Sequence, residues 1–211
     1  MTRKEEIIFA TLELASTYGL RAISLSQIAE RVGIKKPSLY NHFKSKDEIV
    51  SAMYSFLRER ANTGNSAPSG FEDMFSSRSL EEILLGSVTA YLGIVSDKHM
   101  LQFFKVLYSE RSTNPIAAQI MLEETDRMLQ SSRNMFYALV VHGKVRNESI
   151  DVAAMTYSLT IHSLIDYRMD MLTAGKIQEF GENGSPIPKN IENFIRWFSH
   201  QIGVKDEQKI D

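Results

Sequence analysis

Between residues 35 and 46 the chain sets Lys35, Lys36, Lys44 and Lys46 beside Ser38, Tyr40, Asn41 and His42, and no carboxylate interrupts them until Asp47. Ammonium groups at this density meet phosphates, because each neutralised phosphate releases a condensed counterion. Lysine and asparagine also hydrogen-bond base edges, while hydroxyl and ring N–H groups donate to phosphate oxygens. The local chemistry is that of a surface for a polyanion; a merely solvated basic face is the plainer alternative. The formal net charge of −2 conceals this feature, since residues 1–60 carry 10 Lys/Arg against 7 Asp/Glu and the rest of the chain carries 14 against 19.

Other chemistry-bearing residues form no comparable group. His162 and Asp166 stand four apart on one helical face, as metal ligands do, but a third and fourth ligand are not apparent, so no metal or other cofactor is expected. His99, His142 and His200 are isolated, and Ser, His and Asp occur at no spacing that marks a nucleophile, so no enzyme is expected. The chain has no Cys, which removes disulfides, thiolate zinc sites and cysteine nucleophiles. No apolar run approaches the roughly 20 residues that span a bilayer. The expectation is a soluble, cytoplasmic protein with no membrane partner.

Helical periodicity must position the basic group, and strand signals are almost absent. A first helix spans about Arg3 to Tyr18 on Ile7, Ala10, Thr11, Leu14, Ala15 and Tyr18, and Gly19 ends it. Ser24 and Gln27 have capping-box spacing and open a short second helix whose inner face is Leu25, Ile28, Ala29 and Val32. Gly33 closes that helix. Pro37 then suits the first turn of a third helix that carries Leu39 and Phe43 inward, leaving Lys36, Ser38, Tyr40, Asn41 and His42 outside. Ser45 and Glu48 open a fourth helix running to about Arg60, where Lys46 adds its charge to the free backbone N–H groups. Two short helices around a glycine corner, braced by a helix before them, make a helix-turn-helix.

Leu25-Ser26-Gln27-Ile28-Ala29-Glu30-Arg31-Val32-Gly33-Ile34, then Pro37-Ser38-Leu39-Tyr40-Asn41-His42-Phe43, then Lys46, resembles the tetracycline-repressor (TetR) family of bacterial transcription regulators over about Ile7 to Met53. The resemblance implies a homodimer with an N-terminal DNA-binding domain and a larger helical domain that binds a small inducer and dimerises. It also implies DNA contact by Ser26, Lys36, Pro37, Ser38, Tyr40, Asn41, His42 and Lys46, with Leu25 at the backbone-facing start of the second helix. Lys35 departs from the family's usual Ser or Thr and leaves the third helix without a side-chain cap.

The small and turn-forming residues 63–70, TGNSAPSG, mark a boundary, after which helices are expected at about 79–96, 98–111, 114–142, 149–174 and 187–203, with a polar last six residues prone to fray. Met121, Met128 and Met135 recur every seven residues, and Tyr91, Phe103, Phe104, Tyr108 and Tyr137 join them as the apolar wall and polar tips of a small-molecule pocket; plain core packing explains the same stripe. Tyr157, Ile161 and Leu164 on one late helix, and Ile191, Phe194, Ile195 and Phe198 on the last, are candidates for a four-helix dimer interface, with burial inside one subunit as the alternative.

The resulting expectation is an all-α chain. Residues 1–62 form a three-helix DNA-binding domain with a connecting fourth helix, and 63–211 a helical ligand-binding and dimerisation domain. Its partners would be a palindromic double-stranded DNA operator, a small-molecule inducer and a second copy. The rival is a helical small-molecule or protein-binding module without DNA binding.

Overall fold

The computed structural model describes residues 1–63, 75–95, 97–181 and 184–204; most of the 63–70 boundary and the polar last six residues lie outside them. The described residues form α1 (Arg3–Tyr18), α2 (Leu25–Arg31), α3 (Lys36–Leu39), α4 (Lys46–Thr63), α5 (Leu80–Val95), α6 (Lys98–Glu110), α7 (Pro115–Val141), α8 (Ile150–Thr173) and α9 (Lys189–Ile202). Extended pairing among them is one isolated bridge, Val145 to Gly203. The fold is all-α.

Side chains set the helix starts. Thr2 and Glu5 exchange capping-box bonds at α1, Ser24 and Gln27 at α2, and Ser79 and Glu82 at α5. Each satisfies donors that the first turn leaves without partners. At α4 the pattern is altered: Ser45 Oγ accepts from the Glu48 N–H, but the Glu48 carboxylate takes the Lys44 N–H, one residue outside the usual box. As the Lys35 position implies, α3 has no side-chain cap. Its regular part is only Lys36–Leu39, and tighter turns carry the chain on to Phe43, whose N–H bonds the Leu39 carbonyl at 3.1 Å.

The helices belong to two compact units, residues 1–66 with 94–122, and residues 67–93 with 123–211. The chain is thus not divided at a single point, since α6 and the first turns of α7 belong with the N-terminal helices. The reason is the core: Met100, Phe103, Val106 and Leu107 of α6, with Ala117, Ile120 and Met121, are buried in one cluster with Ile7, Leu12, Ile28, Leu39, Met53 and Leu57. Because α1 packs on both α4 and α6, its buried arc is wider than one stripe and takes in Ile8 and Leu12. Tyr18, expected inward, is 63% exposed at the end of the helix.

In the second unit α8 and α9 meet through aromatic rings. Phe136 of α7 lies 5.5 Å from Tyr157 and 6.1 Å from Phe198, and Phe198 lies 5.3 Å from Phe194. The Tyr157 hydroxyl donates to the Leu84 carbonyl at 3.0 Å and lies 2.6 Å from Ser87 Oγ, so its burial leaves no polar atom stranded. The buried Arg168 guanidinium donates to the carbonyls of Phe180, Glu179 and Gly181, tying the segment after α8 to that helix.

Candidate nucleic-acid interface

Gly33 makes the corner. Its φ of +72° is a left-handed conformation that a side chain disfavours, and it turns the chain so that the Ile34 N–H returns to the Ala29 carbonyl at 2.9 Å. With Ile28 and Leu39 fully buried and Phe43 3% exposed, α2 and α3 are held from beneath. Lys35, Lys36, Pro37, Ser38, Tyr40 and Asn41 are left exposed, His42 half-buried. Ser26 is exposed and Leu25 half-buried at the start of α2. The structure therefore gathers the expected contact residues on the outer side of the corner. An ion pair braces it: the Arg31 guanidinium meets Glu13 of α1 through two N–H···O contacts of 3.0 and 2.6 Å, which hold the Glu13 carboxyl below its ordinary value.

Lys46 differs from the other lysines. It is half-buried, and its Nζ donates to the Ile23 carbonyl at 2.6 Å and lies 3.5 Å from the Arg21 carbonyl. Sequence reading missed this link, because carbonyl partners 23 and 25 residues away have no local signature. Lys4, also unforeseen, lies over the Phe43 ring at 5.7 Å.

The pocket candidates divide between the two units. Phe103 and Met121 are core residues of the first unit, against which Phe104 and Tyr108 pack. Tyr91, Met128 and Tyr137 belong to the second. Tyr137 is 46% exposed and donates to Asp151, so it faces outward. The Tyr91 hydroxyl lies 3.5 Å from His162 Nδ1, and His162 Nε2 lies 3.6 Å from Asp166. Burial first, then the carboxylates of Asp166 and Glu124, pushes the Tyr91 phenol up to about 12.

The dimer candidates are largely covered within the chain itself. Tyr157, Ile161, Ile191, Ile195 and Phe198 are buried within the subunit, and Leu164 and Phe194 are half-buried. The apolar stripe of α9 is the face that closes its own unit. Exposed instead are Val152, Met155 and Leu159 on α8 and Trp197 on α9.

Residues 7–53 match the family model for bacterial regulatory proteins of the tetR family, and residues 82–180 match the AefR-like transcriptional repressor C-terminal domain. The chain belongs to the TetR family. Among relatives, the helix-turn-helix-type transcriptional regulator SrpR of Pseudomonas putida is 26% identical over 67% of this chain and 63% of that protein. The regulator TtgW, also of Pseudomonas putida, is 28% identical over 62% of this chain and 91% of that protein. The class C tetracycline repressor of Escherichia coli is 35% identical, but over 24% of this chain and 23% of its own length. The chain thus spans less than two thirds of that repressor and of SrpR. A regulator from Saccharomonospora viridis, solved in complex with choline, superposes with a TM-score of 0.65 at 16% identity, covering 96% of this chain and 98% of that one. At that identity it shows the fold alone.

Proposed function

We propose that this chain is a sequence-specific transcription regulator that represses from a palindromic double-stranded DNA operator as a homodimer and is released by a small-molecule inducer. Residues 1–62 are the reading head with its connecting helix, and residues 63–211 receive the inducer and the second copy. The protein acts in the cytoplasm, and no catalytic role is part of this reading. Among the described residues no helix is long and apolar enough to cross a membrane.

The observation that carries the reading is the outer side of the corner, where Lys36, Ser38, Tyr40 and Asn41 stand exposed on a turn locked by buried Leu39 and Phe43. These residues, with Leu25, Ser26, Pro37 and His42, meet base edges and phosphates, and in a dimer the two third helices enter major grooves about 34–36 Å apart. Tyr91 and Met128, with His162 and Asp166 beside Tyr91, are the inducer-facing candidates in the second unit. The second copy covers Val152, Met155, Leu159 and Trp197. Inducer and operator weaken each other by the same factor, as linkage requires.

Electrophoretic retardation with the DNA upstream of the gene tests the proposal. Salt-sensitive, sequence-selective binding is expected. Binding that is absent below about 10 μM, a concentration typical of non-specific association, sinks it.

A further inference from the structure

The turn between α1 and α2 presents an arginine to solvent. The Ala22 N–H closes this turn onto the Gly19 carbonyl at 3.2 Å, and Leu20 and Ile23 are buried on either side. Arg21 stands between these two anchors and is exposed. Other arginines of this unit have partners within the chain: Arg3 pairs with Glu6, Arg31 pairs with Glu13, and Arg111 lies over the Tyr108 ring. Among the described residues nothing of that kind holds the Arg21 guanidinium.

Lys46 fixes where the turn lies. Its Nζ donates to the Ile23 carbonyl at 2.6 Å and lies 3.5 Å from that of Arg21, which holds the Arg21 backbone against the first turn of α4. An ammonium has three N–H donors, so the two carbonyls leave one for a phosphate. Ser24, the cap of α2, follows directly, and Leu25 and Ser26 begin that helix. Arg21 thus stands where the starts of α2 and α4 come together, outside the run from Lys35 to Lys46 that carries the basic group in sequence.

Resting on the DNA-binding reading above, we infer that Arg21 is a further DNA contact, whose guanidinium meets the phosphate backbone beside Lys46 and carries the interface onto the turn before α2. A guanidinium suits this place because its planar fork takes two phosphate oxygens at once. The buried neighbours Leu20 and Ile23 already hold the backbone from which it projects, so little further ordering is needed on binding. A phosphate contact carries no base preference, so Arg21 adds affinity for any duplex and leaves the choice of operator to the glycine corner.

The test is fluorescence anisotropy of the full chain, from about 50 to 200 mM salt, on an operator obtained by in vitro selection and on single-base variants of it. Arg21→Ala and Arg21→Gln are each expected to lower the slope of log affinity against log salt by about 0.9 and to weaken binding roughly tenfold near 0.1 M salt, by the same factor on every variant. Arg21→Lys, which keeps the charge, keeps the wild-type slope. Lys105→Ala removes an exposed cation of α6 and leaves the slope unchanged, which separates a local contact from loss of net charge.

A slope reduction less than half of that size in Arg21→Ala and Arg21→Gln overturns the inference, and so does an equal reduction in Lys105→Ala. Affinity lost at the wild-type slope, and unequally across operator variants, also overturns it by showing that the turn has shifted α2. Where Arg21→Ala lowers the melting temperature enough to spoil the assay, Arg21→Gln decides. Wild-type chain that fails to bind DNA in a salt-sensitive way overturns the DNA-binding reading itself, an outcome distinct from normal wild-type binding with an unchanged slope at Arg21.

Discussion

Asn41 stands exposed just past the regular part of α3, and its carboxamide pairs donor and acceptor as the N6 and N7 edge of adenine does. Asn41→Ala is expected to cost about 1–3 kcal/mol at a single base position and to relax selectivity there without changing the salt slope. Anisotropy across single-base operator variants measures this; an equal loss on every variant would assign Asn41 to the phosphate backbone. Tyr54 makes a different case. It is 2% exposed beside Phe103, and its hydroxyl has no hydrogen-bond partner among the described residues. Burial, then the charge of Glu110, pushes this phenol up to about 12. Removing an unpaired buried hydroxyl while keeping the ring's shape relieves a desolvation cost, so Tyr54→Phe should stabilise the chain by about 1 kcal/mol in chemical denaturation. A loss of stability of that size would show that the hydroxyl has a partner. The basic group 35–46 was legible at this level because its chemistry is local, whereas the carbonyl partners of Lys46 come from another element and were not.

The helices themselves were read closely from the sequence, because each is bounded by a short-range signal. Gly19 and Gly33 take the positive φ values of 84° and 72° that their positions after α1 and α2 imply. Ser24 and Gln27 exchange the bonds their spacing predicts, Ser24 N–H to Gln27 Oε1 at 2.8 Å and Gln27 N–H to Ser24 Oγ at 3.3 Å. Ser24→Ala removes the acceptor and should cost about 1 kcal/mol, measured by urea denaturation. No change would mean that Gln27 and the Lys46 tie hold the start of α2 without it. Thr2 and Glu5 have the same spacing and the same bonds, a signal present in the sequence and unread. Periodicity served less well on α1, where helices pack on two sides and the buried arc outgrows a single stripe.

Self-association belongs to the molecule as a whole. Leu159 is 40% exposed on the face of α8 that carries Val152 and Met155, whereas Ile195 of α9 is fully buried. Leu159→Glu should therefore convert a dimer to monomer in sedimentation with little loss of monomer stability. Ile195→Ala should instead cost about 2–5 kcal/mol by opening a cavity. A Leu159→Glu chain that still sediments as a dimer removes this face from the interface. The buried phenols also set an alkaline limit. Tyr54 and Tyr91 are raised from the ordinary 10.0 to about 12, and Tyr157 is raised further by burial, so the unfolded chain loses these protons first. Their stabilisation is full below pH 10 and declines as pH climbs toward 12, which denaturation midpoints across that range measure. Midpoints constant over that range would contradict this burial.

The sequence by itself determined the all-helical class, the glycine corner and the set of polar residues outside it, since periodicity, caps and turn residues act within a few positions. Tertiary structure alone decided which apolar stripes are buried within the chain and which stay exposed: spacing marks a residue as apolar but not what covers it. The last helix shows the difference, because its clean stripe of Ile191, Ile195 and Phe198 was as suited to a second copy as to Tyr157 and Phe136 of its own chain, and the latter took it. The same holds for Lys46, a cation that any polyanion could attract, whose neighbours are two carbonyls brought near by the packing of α4 against α1.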